Sequence, residues 1–493
     1  ESLIAAASQL DRSVIEQTRA GRDRAEWDWV MLADHAWNGS DNANRLENAR
    51  LRREWSDDLT RLGTELESQA WKALNLSADP HGLVLFNSLG APRPGLVRVD
   101  VPEDVDSAFD GPRALPSQVV LEDGRRRLYF IAPRVAGLGF ASVRLGRAAQ
   151  PLRPAALKAS VGEIESPRYR LKVDLRTGGV ASLVDRTLNR ELVVPGPRAL
   201  GQTVYFDGRE HAVTNVQCES AAAGPVLARL KVTSAIDDIR ITTLITLYAD
   251  LDQVDFEYLI HKPVTLAEQR LTHVFPVLVP GAVERIETTG AVLRPLPSPA
   301  GDLLPGADPN RLAVQGFVDA SLPQGPGVTI APLEAFALRP DLDAISFEAL
   351  GNDQNYKESA HDQNGQTDFR FRYSLRSHAA GFDQADTVAW SRAAATPLLV
   401  AAGRLPRAPL RGVDVDPRRA FVTAWKPADG EGLILRLWET AGQAAPLVLR
   451  LHGFKTAVAT DLLERDLHAL PVRSGQVSVD LRAYGFAAIR LLR

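Results

Sequence analysis

Apolar residues recur every three to four positions up to about residue 76 and on alternate positions after about residue 79. That change of period predicts a helical start followed by a long run of strands and turns. Leu3, Ala7, Leu10, Val14 and Thr18 mark one face of a first helix, which Gly21 is expected to end. A short second helix carries Trp27, Val30 and Met31 and finishes at Asp34 and His35. Asn38-Gly39-Ser40-Asp41-Asn42 closes it and caps the next helix. The third helix runs from about Asn44 to Leu76, with Leu51, Trp55, Leu59, Leu62, Leu66, Ala70 and Leu74 in one stripe. Three such stripes can bury one another, so a three-helix bundle is predicted over 1–78.

Asp79-Pro80-His81-Gly82 separates the two periods. Strands are predicted at 83–87, 96–101, 128–131 and 141–145, forming a small β-sandwich over 79–150. After the link Pro151-Leu152-Arg153-Pro154, a hairpin at 169–174 and 180–184 turns on Thr177-Gly178-Gly179, where glycine supplies a positive φ. Alternation continues at 226–230, 239–248, 254–261, 273–279, around Phe347 and at 368–375. With no helical pattern between them, these strands predict one large sandwich over 151–405. A last small sandwich over 406–493 has strands at 421–425, 433–438, 445–451 and 476–481. The fold class is therefore mainly β with an N-terminal three-helix bundle, the large sandwich being flanked by smaller ones.

Composition narrows the function. A chain of 493 residues exceeds one core, and a net charge of −4 offers no basic surface for nucleic acid. No apolar run approaches the ~18 residues of a membrane span. The single cysteine, Cys218, forbids an internal disulfide and fits a reducing, cytoplasmic compartment. Beginning at Glu1, directly in a helical pattern without a signal sequence, the chain reads as a portion of a larger protein. The nucleophile elbow, the phosphate-binding loop and the dinucleotide fingerprint are absent. Histidines at 81, 211, 261, 273, 361, 378, 452 and 468 show no paired ligand spacing, so a self-contained zinc site is not expected. His35 has a side chain suited to zinc, and its neighbours Asp34, Trp37 and Asn38 are types that line sugar sites. A lone histidine among helices is more often a cap or core residue, and Asp34 projects about 100° away from it on a helix.

Several motifs then combine. Trp29 to Trp37, with Asp34-His35-Ala36-Trp37 at its end, is followed by a long helix closing on Gln69-Ala70-Trp71-Lys72-Ala73-Leu74. Next come Leu85-Phe86-Asn87-Ser88-Leu89, Leu115-Pro116-Ser117-Gln118, the hairpin 173–186, the run 433–442 and Asp461-Leu462-Leu463-Glu464. In this order they resemble the part of family-38 glycoside hydrolases, the zinc-dependent retaining α-mannosidases, that follows the catalytic barrel. The resemblance implies a galactose-mutarotase-like super-sandwich for the large domain. It also implies that His35 is the bundle's zinc ligand, completing a set whose other ligands and nucleophile lie in the barrel. Trp37, Asn38, Tyr205 and Asp207 are implied as substrate contacts. No catalytic residue is assigned here, so the chain is expected to be inactive alone, with zinc bound only in the intact enzyme. Its implied partners are a glycan substrate and the upstream barrel, and self-association is an expected consequence of an uncovered barrel surface. Two family features are missing: the Asp-x-Pro and Trp-Asp-Ala-Trp-Asp run after Tyr205-Phe206-Asp207, and a Leu-Leu-Arg strand near 347–350. The competing readings are a stand-alone carbohydrate-binding or assembly module and a polysaccharide-lyase-like sandwich.

Overall fold

The computed structural model describes residues 1–34, 42–148, 157–265, 267–340, 344–352, 365–406 and 412–493. It is mainly β, as expected, and divides into two compact units. One comprises Glu1–Gln150 and Asp383–Arg493, the other Pro151–Phe382.

In the first unit the helical start contains four segments: α1 (Ser2–Ala7), α2 (Ser13–Gln17), α3 (Arg19–Ala33) and α4 (Asn42–Ala73). The predicted first helix is interrupted because the Asp11 carboxylate accepts from the Ser13 N–H and Oγ, at 2.9 and 2.7 Å, restarting the chain as α2. Gly21 does not stop a helix. It lies inside α3, where an added Cβ would come 3.1 Å from Leu66 Cδ2 of α4, so its small size permits close helix packing. The α4 stripe is as predicted, with Trp55, Leu62, Ala70 and Leu74 buried. On α3 the prediction fails, since its buried residues are Arg22 and Asp28.

Strand Gly82–Asn87 explains the apolar run Leu83-Val84-Leu85-Phe86. Leu83 and Leu85 enter the small-sandwich core, while Val84 and Phe86 pack with Leu3, Ile4, Ala70 and Leu74 of the helices. Both faces of this strand are covered, which removes the polar alternation a half-exposed strand would show. Strand Leu399–Ala402 pairs antiparallel with it. Residues 383–405, expected in the large sandwich, therefore group with the first unit; alternation alone cannot tell which sheet a strand joins. A fifth helix, α5 (Gln384–Ala395), lies in the same stretch and was missed. Its buried residues include the small Ala385, Thr387 and Ser391, which give a weak apolar signal, although Asp383 caps it by accepting from the Asp386 N–H. The C-terminal sandwich closes around Trp425 and Phe454, whose rings stand perpendicular at 5.7 Å.

In the second unit a nine-stranded antiparallel sheet runs in the order Thr214–Ala223, Leu227–Ile236, Ile239–Tyr248, Val254–His261, Asp368–His378, Gly327–Pro332, Val318–Ser321, Val283–Thr288, Ala291–Leu293. Two five-stranded sheets share its core. The predicted hairpin is present as Tyr169–Val173 and Val180–Asp185, with Gly178 at φ +75°. Tyr258, Phe275, Phe347 and Tyr373 are fully buried around His273. Such ring pairs contribute about 0.5–1.5 kcal/mol each beyond area burial.

Candidate functional site

Helix α3 leads towards the resemblance-implied zinc ligand, and charge holds it in place. Fully buried Asp28 lies 3.0 Å from Arg24 Nη2 and accepts from Arg24 Nε at 3.0 Å. Arg24 Nη2 also reaches Asp58 of α4 at 3.2 Å, and Arg61 bridges Asp58 and Glu65 at 3.0 and 2.9 Å. The buried Arg22 donates to the Ile15 carbonyl at 3.2 Å. These contacts fasten α3 through its polar side and leave Trp27 and Trp29 57% and 69% exposed, with Val30 exposed beside them. At Asp34 the backbone turns extended, φ −71° and ψ 126°, ending the helix. His35, Trp37 and Asn38 lie outside the described residues.

Within the same unit a groove of about 680 Å³ is lined by Glu26, Trp29 and Val30 of α3 and by Lys426, Arg436 and Glu464. Lys426 Nζ is 2.8 Å from Glu464 Oε1, and burial raises the pKa of the Glu26 carboxyl. The groove thus offers one exposed indole beside the Lys426–Glu464 ion pair.

Tyr205 and Asp207 belong to the second unit, at the end of strand Gln202–Phe206 and in the turn after it. The structure brings them together through His211, which lacked any telling spacing in sequence. Asp207 Oδ1 lies 2.7 Å from His211 Nε2, and Asp237 Oδ2 lies 2.5 Å from His211 Nδ1. The Tyr205 ring sits 5.2 Å from the imidazole, and its hydroxyl donates to Gln269 Oε1 at 2.9 Å. The hydrogen bond from His211 holds the Asp207 carboxyl below its ordinary pKa, whereas burial and then the charges of Asp207 and Asp237 raise the Tyr205 phenol. The cluster therefore presents an ordered phenol and a fixed anion, groups that can accept and donate hydrogen bonds to a polyol. Asp207 and His211, four residues apart, are the only local trace of it in sequence.

Among the described residues no group of three or more His, Cys, Asp or Glu side chains is arranged to hold a metal. Three of the histidines each pair with one carboxylate: His261 with Asp368 at 2.9 Å, His378 with Asp319 at 2.9 Å and His452 with Asp414 at 3.0 Å. The described residues therefore form no zinc site by themselves. Also among them, no helix is long and apolar enough to cross a membrane.

Residues 420–485 match the family model described as glycosyl hydrolases family 38 C-terminal beta sandwich domain. Two solved structures share the fold over 99% of this chain, each with a TM-score of 0.74 and 17% identity. One is a protein in glycosyl hydrolase family 38 from Enterococcus faecalis, of which this chain covers 68%. The other is an alpha-mannosidase from Enterococcus faecalis V583, of which it covers 65%. A search of curated proteins finds no match. The resemblance to family 38 read from the sequence is thus borne out.

Proposed function

We propose that this chain is the non-barrel half of a zinc-dependent retaining α-mannosidase-like glycoside hydrolase, supporting hydrolysis of α-mannosides in a glycan and inactive by itself. The observation that carries the reading is the similarity of fold over 99% of this chain to proteins of which it spans about two thirds. The remaining third corresponds, in the proposal, to a catalytic barrel that packs on the bundle. Exposed Trp29 and Val30, which line one groove ahead of His35, support a partner surface there, because large apolar side chains gathered on a surface mark interaction sites. The free thiol of Cys218 suits a reducing, cytoplasmic setting.

In this reading His35 would hold zinc through one imidazole nitrogen, and Trp37 and Asn38 would contact the substrate. Zinc, when bound, supplies Lewis-acid and templating chemistry. In the large sandwich, considered by itself, Tyr205 and Asp207 would offer hydrogen bonds to sugar hydroxyls. Retaining hydrolysis needs two carboxyl groups about 5–5.5 Å apart across the scissile bond, and the proposal places the nucleophile in the barrel.

The test compares purified 1–493 with an assembly in which a family barrel is fused or supplied in trans. The chain alone should neither hydrolyse aryl α-mannosides nor hold zinc tightly, and the assembly should do both. In the assembly, His35→Ala should lower zinc affinity by more than the ~10–100-fold typical of losing an outer-shell partner, with activity falling in parallel. Full zinc content and a near-normal kcat/KM in that variant would refute the role of His35. Turnover by 1–493 itself, above a mock purification, would refute the division of labour.

A further inference from the structure

Strand Asp368–His378 is the last of the large unit, which ends at Phe382. On one face of the sheet the fully buried Asp319 accepts from Ser321 Oγ through Oδ1 at 2.7 Å and from Thr329 Oγ1 through Oδ2 at 2.8 Å. His378 Nε2 lies 2.9 Å from the same Oδ2, and His378 Nδ1 lies 2.7 Å from the Ala380 carbonyl oxygen. A carboxylate and a carbonyl only accept, so with Asp319 ionised this geometry is fully satisfied by an imidazolium, which carries hydrogen on both ring nitrogens. Phe382, at the end of the exit segment, lies 6.0 Å from the Phe317 ring and 4.8 Å from the Arg285 guanidinium above it. Residues 379–382 are therefore fastened at one end by a titratable cation and at the other by a permanent one.

We propose that His378 and Asp319 form a proton-operated latch, which pins the exit segment 379–382 to the large sandwich when His378 is charged and frees it when His378 is neutral. On losing one proton to solvent, the imidazole keeps a single N–H. That hydrogen stays on Nε2, because the charged Asp319 is the stronger acceptor, so Nδ1 turns a lone pair towards the Ala380 carbonyl and that bond is lost. Burial works against the charge on His378, but the hydrogen bond and charge of Asp319, aided by the Ala380 carbonyl, outweigh it and hold the pKa above the ordinary histidine value. Other charged groups on this face are few. Arg376, on the same strand, opposes the cation, while Arg285 and Glu287 stand on strand Val283–Thr288. Strand Gly327–Pro332 adds only neutral Thr329 and Gly327. Because the folded pKa is raised, the latch's contribution is fully present below the unfolded value of about 6.5 and is lost as pH rises through the folded value.

The test uses the full chain. Exchange of the imidazole C2 hydrogen, read by mass spectrometry, gives the titration midpoint of His378, expected above about 6.5. Amide exchange of a peptide covering 376–383, normalised to an unstructured reference, should show protection falling by up to about tenfold per pH unit above that midpoint. In His378→Gln, protection should sit at the alkaline level and be independent of pH. A midpoint at or below that of free histidine, pH-independent protection in the unmodified protein, or an unchanged pH dependence in His378→Gln would each overturn the latch. The first two readings need no variant, so misfolding of His378→Gln would not decide the matter.

Discussion

Helix α3 and the interior of the large sandwich treat their aromatic rings in opposite ways. Tyr258, Phe275, Phe347 and Tyr373 are sealed between sheets, whereas Trp27 and Trp29 stand in solvent. In the sandwich the rings are the cohesion: Phe275 and Phe347 cross at 78°, and Tyr258 stacks on His273 at 3.8 Å between centroids. On α3 the Asp28–Arg24–Asp58–Arg61 ladder supplies the cohesion, and the indoles are left over. Apolar side chains consumed by folding need no further explanation, whereas exposed tryptophans are available for binding. The comparison therefore separates aromatic residues that hold this molecule together from aromatic residues that its own packing leaves exposed.

The largest effect expected from breaking this contrast is in the sandwich. Phe347→Ala should cost about 3–5 kcal/mol by removing a fully buried ring and leaving a cavity, measured by denaturant unfolding of the whole chain. A cost below about 1 kcal/mol would show that the aromatic core is not the cohesive region claimed.

Acid should find the same core. Burial pushes the His273 imidazole down to about 3, so it is neutral in the fold. The unfolded chain takes up that proton below about 6.5, and stability should fall as pH drops from there towards about 3. The sign is opposite to that of the His378 latch. His273→Phe should flatten this part of the acid limb, with Nδ1 no longer 2.9 Å from the Tyr373 hydroxyl. An acid limb unchanged in slope would remove His273 as its cause.

A smaller loss is expected at the helical ladder. Asp28→Ala should cost about 1–2 kcal/mol, because buried hydrogen bonds to a charged group are lost while half-exposed Arg24 can turn to water. Helix content near 222 nm, followed through thermal unfolding, checks it. Finally, Trp29→Ala should change stability by no more than about 0.5 kcal/mol, as for other surface sites. It should nevertheless weaken self-association in sedimentation, and a stability loss as large as that of Phe347→Ala would erase the contrast.

Much of the architecture was legible because strands with one covered face must alternate. The hairpin around Gly178, the strands 239–248 and 254–261, and the α4 stripe were all read from spacing alone. Periodicity reports how a segment is covered but not by what. It therefore could not place Leu399–Ala402 beside Gly82–Asn87, and α5 escaped because alanine, serine and threonine give its buried side little contrast. Gly21 was misread for a related reason: a glycine that breaks a helix and one that admits a neighbour look identical until Leu66 is seen above it. For the site, the sequence marked Tyr205 and Asp207 by resemblance, but only the fold brought His211 and Asp237 to them across the hairpin turn. The raised pKa of His378 and the neutral state of His273 were likewise beyond the sequence. Each depends on which atoms the strands set within hydrogen-bonding reach of the ring, a three-dimensional fact with no counterpart in spacing along the chain.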